Sequence, residues 1–161
     1  MDKTCKIDNE MELVFDAVSA NESLARVAVA AFLTEKNPTL EEMSDVKTAV
    51  SEAVTNAIIH GYGKLPGKVR VHCKWEGKLL RMEIEDKGVG IVNVKQAMEP
   101  LFTTKPEEDR SGMGFSFMEA FMDELEVESA PGEGTIVRMQ KEIGYNPDEI
   151  AALRSKHIVC K

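Results

Sequence analysis

Residues 69–91 read VRVHCKWEGKLLRMEIEDKGVGI. Val69, Val71, Cys73 and Trp75 alternate with Arg70, His72 and Lys74, the period-two signature of a strand with one apolar and one polar face. His72 falls on the polar face and reads as a solvated strand residue. Glu76-Gly77 opens a turn, and Leu80, Met82 and Ile84 point a second strand inward. This hairpin predicts a sheet with one covered face. Asp86 breaks the apolar pattern while keeping its phase, so a carboxylate emerges at the core-facing end of a strand, where an unpartnered ion is costly. Gly88 and Gly90 follow at once and permit close approach to the backbone. Taken alone, D-x-G-x-G reads first as a strand-ending turn in which Asp caps its own backbone.

Upstream of the hairpin, Met11, Leu13 and Phe15 share a strand period. NESLARVAVAAFLTEKNP (21–38) has helical spacing, with Asn21 or Ser23 as cap and Asn37-Pro38 as stop. Thr39-Leu-Glu-Glu resembles a capping box and opens a second helix expected to run to His60, where Gly61 stops it. Downstream, MEPLFTTKPEEDRSGMG (98–114) is irregular, FSFMEAFMDEL (115–125) reads as a short helix, and ELEVES and GTIVRMQ read as strands across APGEG. This order predicts an α+β two-layer sandwich, a mostly antiparallel sheet with helices on one face. One domain is expected over 1–142. Residues 143–161 form a C-terminal extension, in which Asn146, Pro147, two acids and then Arg154 and Lys156 describe a short helix.

With 161 residues the chain can bury a real core, and 43% hydrophobic with 30% charged content is ordinary for a globular protein. A net charge of −8 argues against nucleic acid, since phosphate binding needs a basic footprint. An acidic surface serves solubility and also suits a basic protein partner. Three cysteines without CxxC spacing give neither a disulfide framework nor a zinc site, and Cys73 reads as a core residue. With no secretory leader and no long apolar run, the expectation is a cytoplasmic protein without membrane contact.

Two further stretches demand a reason. In SEAVTNAIIHGYG (51–63), Glu52, Asn56 and His60 stand four apart beside an apolar helix face. Glu52 is a general base if a hydroxyl comes within reach, and otherwise a solvated rim residue. Asn56 offers a hard neutral oxygen suited to Mg²⁺, while His60 gains from the dipole at a helix C-terminus. In RSGMGFSFMEAF (110–121), Gly112 and Gly114 sit where a loop becomes a helix, with Lys105 and Arg110 just upstream. Such a helix start binds phosphate, though it also reads as a flexible glycine-rich loop. Taken in order, the clusters suit one nucleotide. Asp86 would accept from the adenine amine, glycine backbone would line the base, and the triphosphate would rest on the 112–115 turn with Mg²⁺ at Asn56.

EAVTNAIIHGY, DKGVGI, RSGMGF and GTIV resemble the asparagine box, the two glycine boxes and the final glycine-threonine element of one ATPase superfamily. It is the Bergerat-fold (GHKL) superfamily shared by type II topoisomerases, histidine kinases and mismatch-repair ATPases. SANESLARVAVAAF, PLFTTKP and FMDELEVES are similar to its sporulation anti-sigma branch, whose members are also serine kinases; the resemblance spans roughly residues 10–141. It implies ATP and Mg²⁺ as cofactors, a sigma factor as the partner held inactive, an anti-anti-sigma protein as phosphorylation substrate, and a homodimer. By matching position it implies Glu52 as general base, Asn56 as metal ligand and Asp86 as the adenine reader. Gly88, Gly90, Thr104, Lys105, Ser111, Gly112, Met113, Gly114, Phe115 and Thr135 would line the nucleotide. Arg110 would neutralise charge on the transferred phosphoryl, and Arg26 would contact partner proteins. Two other functions fit the same boxes: a nucleotide-switched binding module without phosphoryl transfer, and a histidine-kinase-like ATPase domain, for which no phosphoacceptor segment stands upstream.

Overall fold

The expected hairpin occupies the middle of the sheet. In the computed structural model, which describes residues 9–99 and 114–144, its strands are β2 (Lys68–Glu76) and β3 (Leu79–Asp86). The remaining strands are β1 (Asn9–Asp16), β4 (Glu124–Ala130) and β5 (Gly134–Glu142). They form one five-stranded sheet in the order β1-β2-β3-β5-β4, with every neighbouring pair antiparallel. Helices α1 (Ala20–Leu33) and α2 (Leu40–Asn56), with the shorter α3 (Val94–Ala97) and α4 (Gly114–Phe121), complete the α+β sandwich.

Alternation divides the sheet into two unlike faces. On the covered face, Val69, Val71, Cys73 and Trp75 meet Leu80, Met82 and Ile84, and all are buried. Against them α2 lays Val46, Ala49, Val50, Ala53 and Val54, while α1 contributes Phe32, whose ring stacks on Trp75 at 5.8 Å. Each large apolar side chain so covered contributes about 1.5–3 kcal/mol. Burial pushes the Cys73 thiol up to about 12, which keeps it protonated and unreactive in the core. On the open face, Arg70 reaches Glu83 at 3.2 Å and Glu85 at 3.4 Å, and Arg138 reaches Glu83 at 3.0 Å and Glu128 at 2.7 Å. His72 lies there too, 3.0 Å from Glu10. Glu83 and Arg138 stand directly opposite across β3 and β5, the position at which opposite charges support a sheet.

Both long helices depart from expectation at one end. Neither Asn21 nor Ser23 caps α1. Ser19 holds that place without a side-chain bond, because the turn of Val18 supplies the first backbone bonds instead. The Asn21 amide donates to the Asp16 carbonyl at 2.9 Å, tying the helix to the end of β1. At α2 the capping box of Thr39 and Glu42 is formed as expected. The other end differs: regular helix stops at Asn56, and Ala57–Tyr62 continue as a π-helix that ends at Gly63, with φ of 62°, not at Gly61. The wider turn directs the Gly61 carbonyl to the Val89 N–H, 2.8 Å away. Among the described residues no helix is long and apolar enough to cross a membrane.

Candidate functional site

The π-turn is where the site is assembled. α2 carries Glu52 and Asn56 along one flank, and the widened turn delivers His60, Gly61 and Tyr62 to the ends of β3 and β5. A cavity of about 450 Å³ opens between them, walled by Asn56, His60, Asp86, Gly90, Phe115 and Thr135 among others. Its apolar side comes from Ile84, Val89, Ile91, Val92 and Val137. A mostly apolar cleft with a few convergent polar groups is the usual form of a small-molecule site.

Asp86 lies at the inner end. Its residue is 5% exposed, and burial pushes its carboxyl up from the ordinary value to about 6, although N–H bonds from Gly88 and Thr135 pull the other way. The Gly88 bond measures 2.9 Å. Gly88 itself is not a wall of the cavity. A side chain there would come within 2.0 Å of the Gly61 carbonyl, so the close approach that glycine permits is made by this chain's own π-turn. The same turn holds the loop by two bonds, Val89 N–H to the Gly61 carbonyl and Lys87 N–H to the Tyr62 hydroxyl at 2.7 Å. Tyr62 in turn donates to the Lys68 carbonyl at 2.5 Å.

At the opposite end, α4 begins at Gly114. A Cβ on Gly114 would lie 3.1 Å from Glu52 Oε2 and 3.1 Å from Asn56 Nδ2, so a helix start, a carboxylate and an amide meet in one place. The open N–H groups of such a start favour an anion. Glu52 also lines a second groove of about 470 Å³ with Arg26, Leu40, Met43, Ser44, Lys47, Thr48 and Ser51. It therefore stands between the cavity and the outer face of α1 and α2. Arg26 is 3.7 Å from Glu22, which also accepts from the Ser51 hydroxyl.

The structure thus brings Asn56, Asp86, Gly90, Gly114, Phe115 and Thr135 around one cavity, puts Glu52 at its edge and leaves Arg26 in the adjoining groove. Thr104, Lys105, Arg110, Ser111, Gly112 and Met113 lie outside the described residues. Spacing did not single out Tyr62, Ile91, Asn93, Gln96 or Ser129. Tyr62 is the last residue of the asparagine motif EAVTNAIIHGY, but only tertiary hydrogen bonds reveal its task.

Comparison with known proteins fits this geometry. Residues 15–141 match the family model of the histidine kinase-like ATPase domain. The chain is 56% identical over 136 residues to the anti-sigma F factor of Thermoanaerobacter sp. (strain X514), covering 84% of this chain and 95% of that one. It is 54% identical over 142 residues to the anti-sigma F factor of Clostridium acetobutylicum, covering 88% and 99%. The counterpart from Pasteuria penetrans is 53% identical over 137 residues, covering 84% and 91%. Among solved structures, the RsbU and RsbW domains of a Mycobacterium tuberculosis protein match with a TM-score of 0.63 at 19% identity. That match covers 86% of this chain but spans only 33% of the longer one, and shows the shared fold. With a cleft of this form beneath its π-turn and relatives of this identity along most of its length, the chain belongs to the anti-sigma F factors of the histidine kinase-like ATPase family.

Proposed function

We propose that the chain binds ATP in this cavity, transfers its γ-phosphoryl group to a serine of an anti-anti-sigma protein, and holds a sporulation sigma factor inactive when not so engaged. The observation that carries the kinase reading is the meeting of Glu52, Asn56 and the start of α4 at Gly114. A protein that only bound nucleotide would need no carboxylate there. Asp86 accepts a hydrogen bond from the adenine amine, beside Thr135. The phosphates extend toward α4, where helix N–H groups offset their charge. Mg²⁺ takes few protein ligands beyond phosphate oxygens and water, and the Asn56 amide beside Gly114 suits that donor set. When bound, the ion neutralises charge on the β- and γ-phosphates.

Glu52 then acts on the acceptor. The serine hydroxyl approaches from the Arg26 groove, its proton passes to the Glu52 carboxylate, and its oxygen bonds to the γ-phosphorus as the bond to the bridging β–γ oxygen breaks and ADP leaves. Arg110 balances charge on the transferred group, and Thr104, Lys105, Ser111, Gly112 and Met113 are assigned to the nucleotide by their motif positions. Arg26 meets the partner proteins, and the working unit is a cytoplasmic homodimer.

Incubation with radiolabelled ATP, Mg²⁺ and an anti-anti-sigma protein tests the reading. Acid-stable phosphoserine is expected on the partner. Glu52→Ala should lower transfer at least about a hundredfold, with ATP affinity within about twofold of the native protein. No phosphoserine with the native chain removes the kinase claim.

A further inference from the structure

The wall around Asp86 contains a proton count that fixes what it can recognise. Ser129, on β4, stands opposite Thr135 in the β4–β5 register and is half-buried. Its Oγ lies 2.8 Å from three partners: the Ile91 N–H, the Gly134 carbonyl and the Thr135 hydroxyl. An N–H can only donate and a carbonyl can only accept. Ser129 therefore accepts from Ile91 and gives its single proton to Gly134. Thr135 must then be the donor in the third bond, and its one proton points at Ser129. What Thr135 Oγ1 retains for the cavity is lone pairs.

Thr135 stands opposite Asp86 in the β3–β5 register, and both line the cavity. With the Thr135 proton turned away, the two side chains present only acceptors. We infer that Ser129 is a positioning residue for base selection: by drawing the Thr135 proton to itself, it makes this wall read an exocyclic amine and reject a carbonyl. The chemistry selected is a purine with a donor at position 6, and the group rejected is the oxygen that guanine or hypoxanthine carries there. Ser129 is not itself a wall of the cavity. It acts through Thr135 and through Ile91, whose backbone it fixes at the end of the loop that Asp86 begins. The inference rests on the nucleotide reading above.

The experiment compares ATP, ITP and inorganic tripolyphosphate by calorimetry on the full chain, native and Ser129→Ala. Removing the serine hydroxyl frees the Thr135 proton to turn toward the cavity, where it serves a carbonyl as well as an amine. The native chain is expected to prefer ATP over ITP, and Ser129→Ala should shrink that preference about tenfold. Tripolyphosphate affinity should stay unchanged, which loss of general structure would not allow. Ser129→Thr, which keeps a hydroxyl in place, should restore the preference and serves if the alanine variant does not fold. An unchanged preference in Ser129→Ala overturns the inference while leaving the ATP site standing, and so does a lost preference in Ser129→Thr. If the native chain binds neither ATP nor tripolyphosphate, the nucleotide reading itself falls.

Discussion

Asp86 is a carboxyl whose contribution to folding and whose proposed part in binding have opposite pH dependence. Its folded value of about 6 lies above the ordinary 3.8, chiefly because burial disfavours the ion. A group raised on folding stabilises the empty protein fully below its unfolded value, and that contribution is lost as pH rises through about 6. In the proposed nucleotide complex the sign is reversed, because the ionised carboxylate is the stronger acceptor for an amine and protonation adds an O–H where only acceptors are wanted. ATP affinity should therefore fall below pH 6, approaching tenfold per unit. Asp86→Asn should lower affinity at pH 7.5 by about tenfold or more and flatten the pH profile, as read by calorimetric titration. Asp86 was legible in the sequence because strand phase alone sends it inward, and a buried acid calls for a reason. Ser129 and Tyr62 were not legible, since each also joins a partner far along the chain, Ile91 at 38 residues and Lys87 at 25, and no local period marks them.

At the level of elements, α2 shows both what local chemistry specifies and where it fails. Its start was readable, because Thr39 and Glu42 satisfy each other's backbone within one turn. Thr39→Ala should lower stability by about 1 kcal/mol in chemical denaturation, with transfer activity per folded molecule unchanged. Its end was not readable. Glycine at position 61 suggested a stop, yet the helix passes through it, because Gly61 is required by its neighbours: a Cβ there would lie 2.8 Å from an Asp86 carboxylate oxygen. That requirement belongs to the packing of the π-turn against the end of β3, and helix propensity carries no record of it. The start of α1 failed similarly, its first bonds coming from a turn after β1 rather than from a polar cap.

For the whole molecule, the order of strands and helices was enough for the layers, since alternation in β2 and β3 and the apolar stripe of α2 each name the face they bury. The sheet order, with β5 inserted between β3 and β4, depends on contacts between distant segments. It is this insertion that sets Thr135 beside Asp86 and makes one cleft from residues 49 apart in sequence. A ligand bridging β3, β5, α2 and α4 holds the layers together only in the folded state. ATP with Mg²⁺ at a hundred times its Kd should thus add about 2.7 kcal/mol to stability, seen as a raised Tm that Asp86→Asn diminishes. Glu42 ties the start of α2 to the end of the sheet. Its Oε2 takes the Thr39 N–H at 2.9 Å and also the Gly144 N–H at 3.1 Å, just past the last strand. One carboxylate thus fastens the end of the sheet to the first turn of a helix whose last residue, Asn56, lines the cavity, so Glu42→Gln loosens two anchor points with a single change.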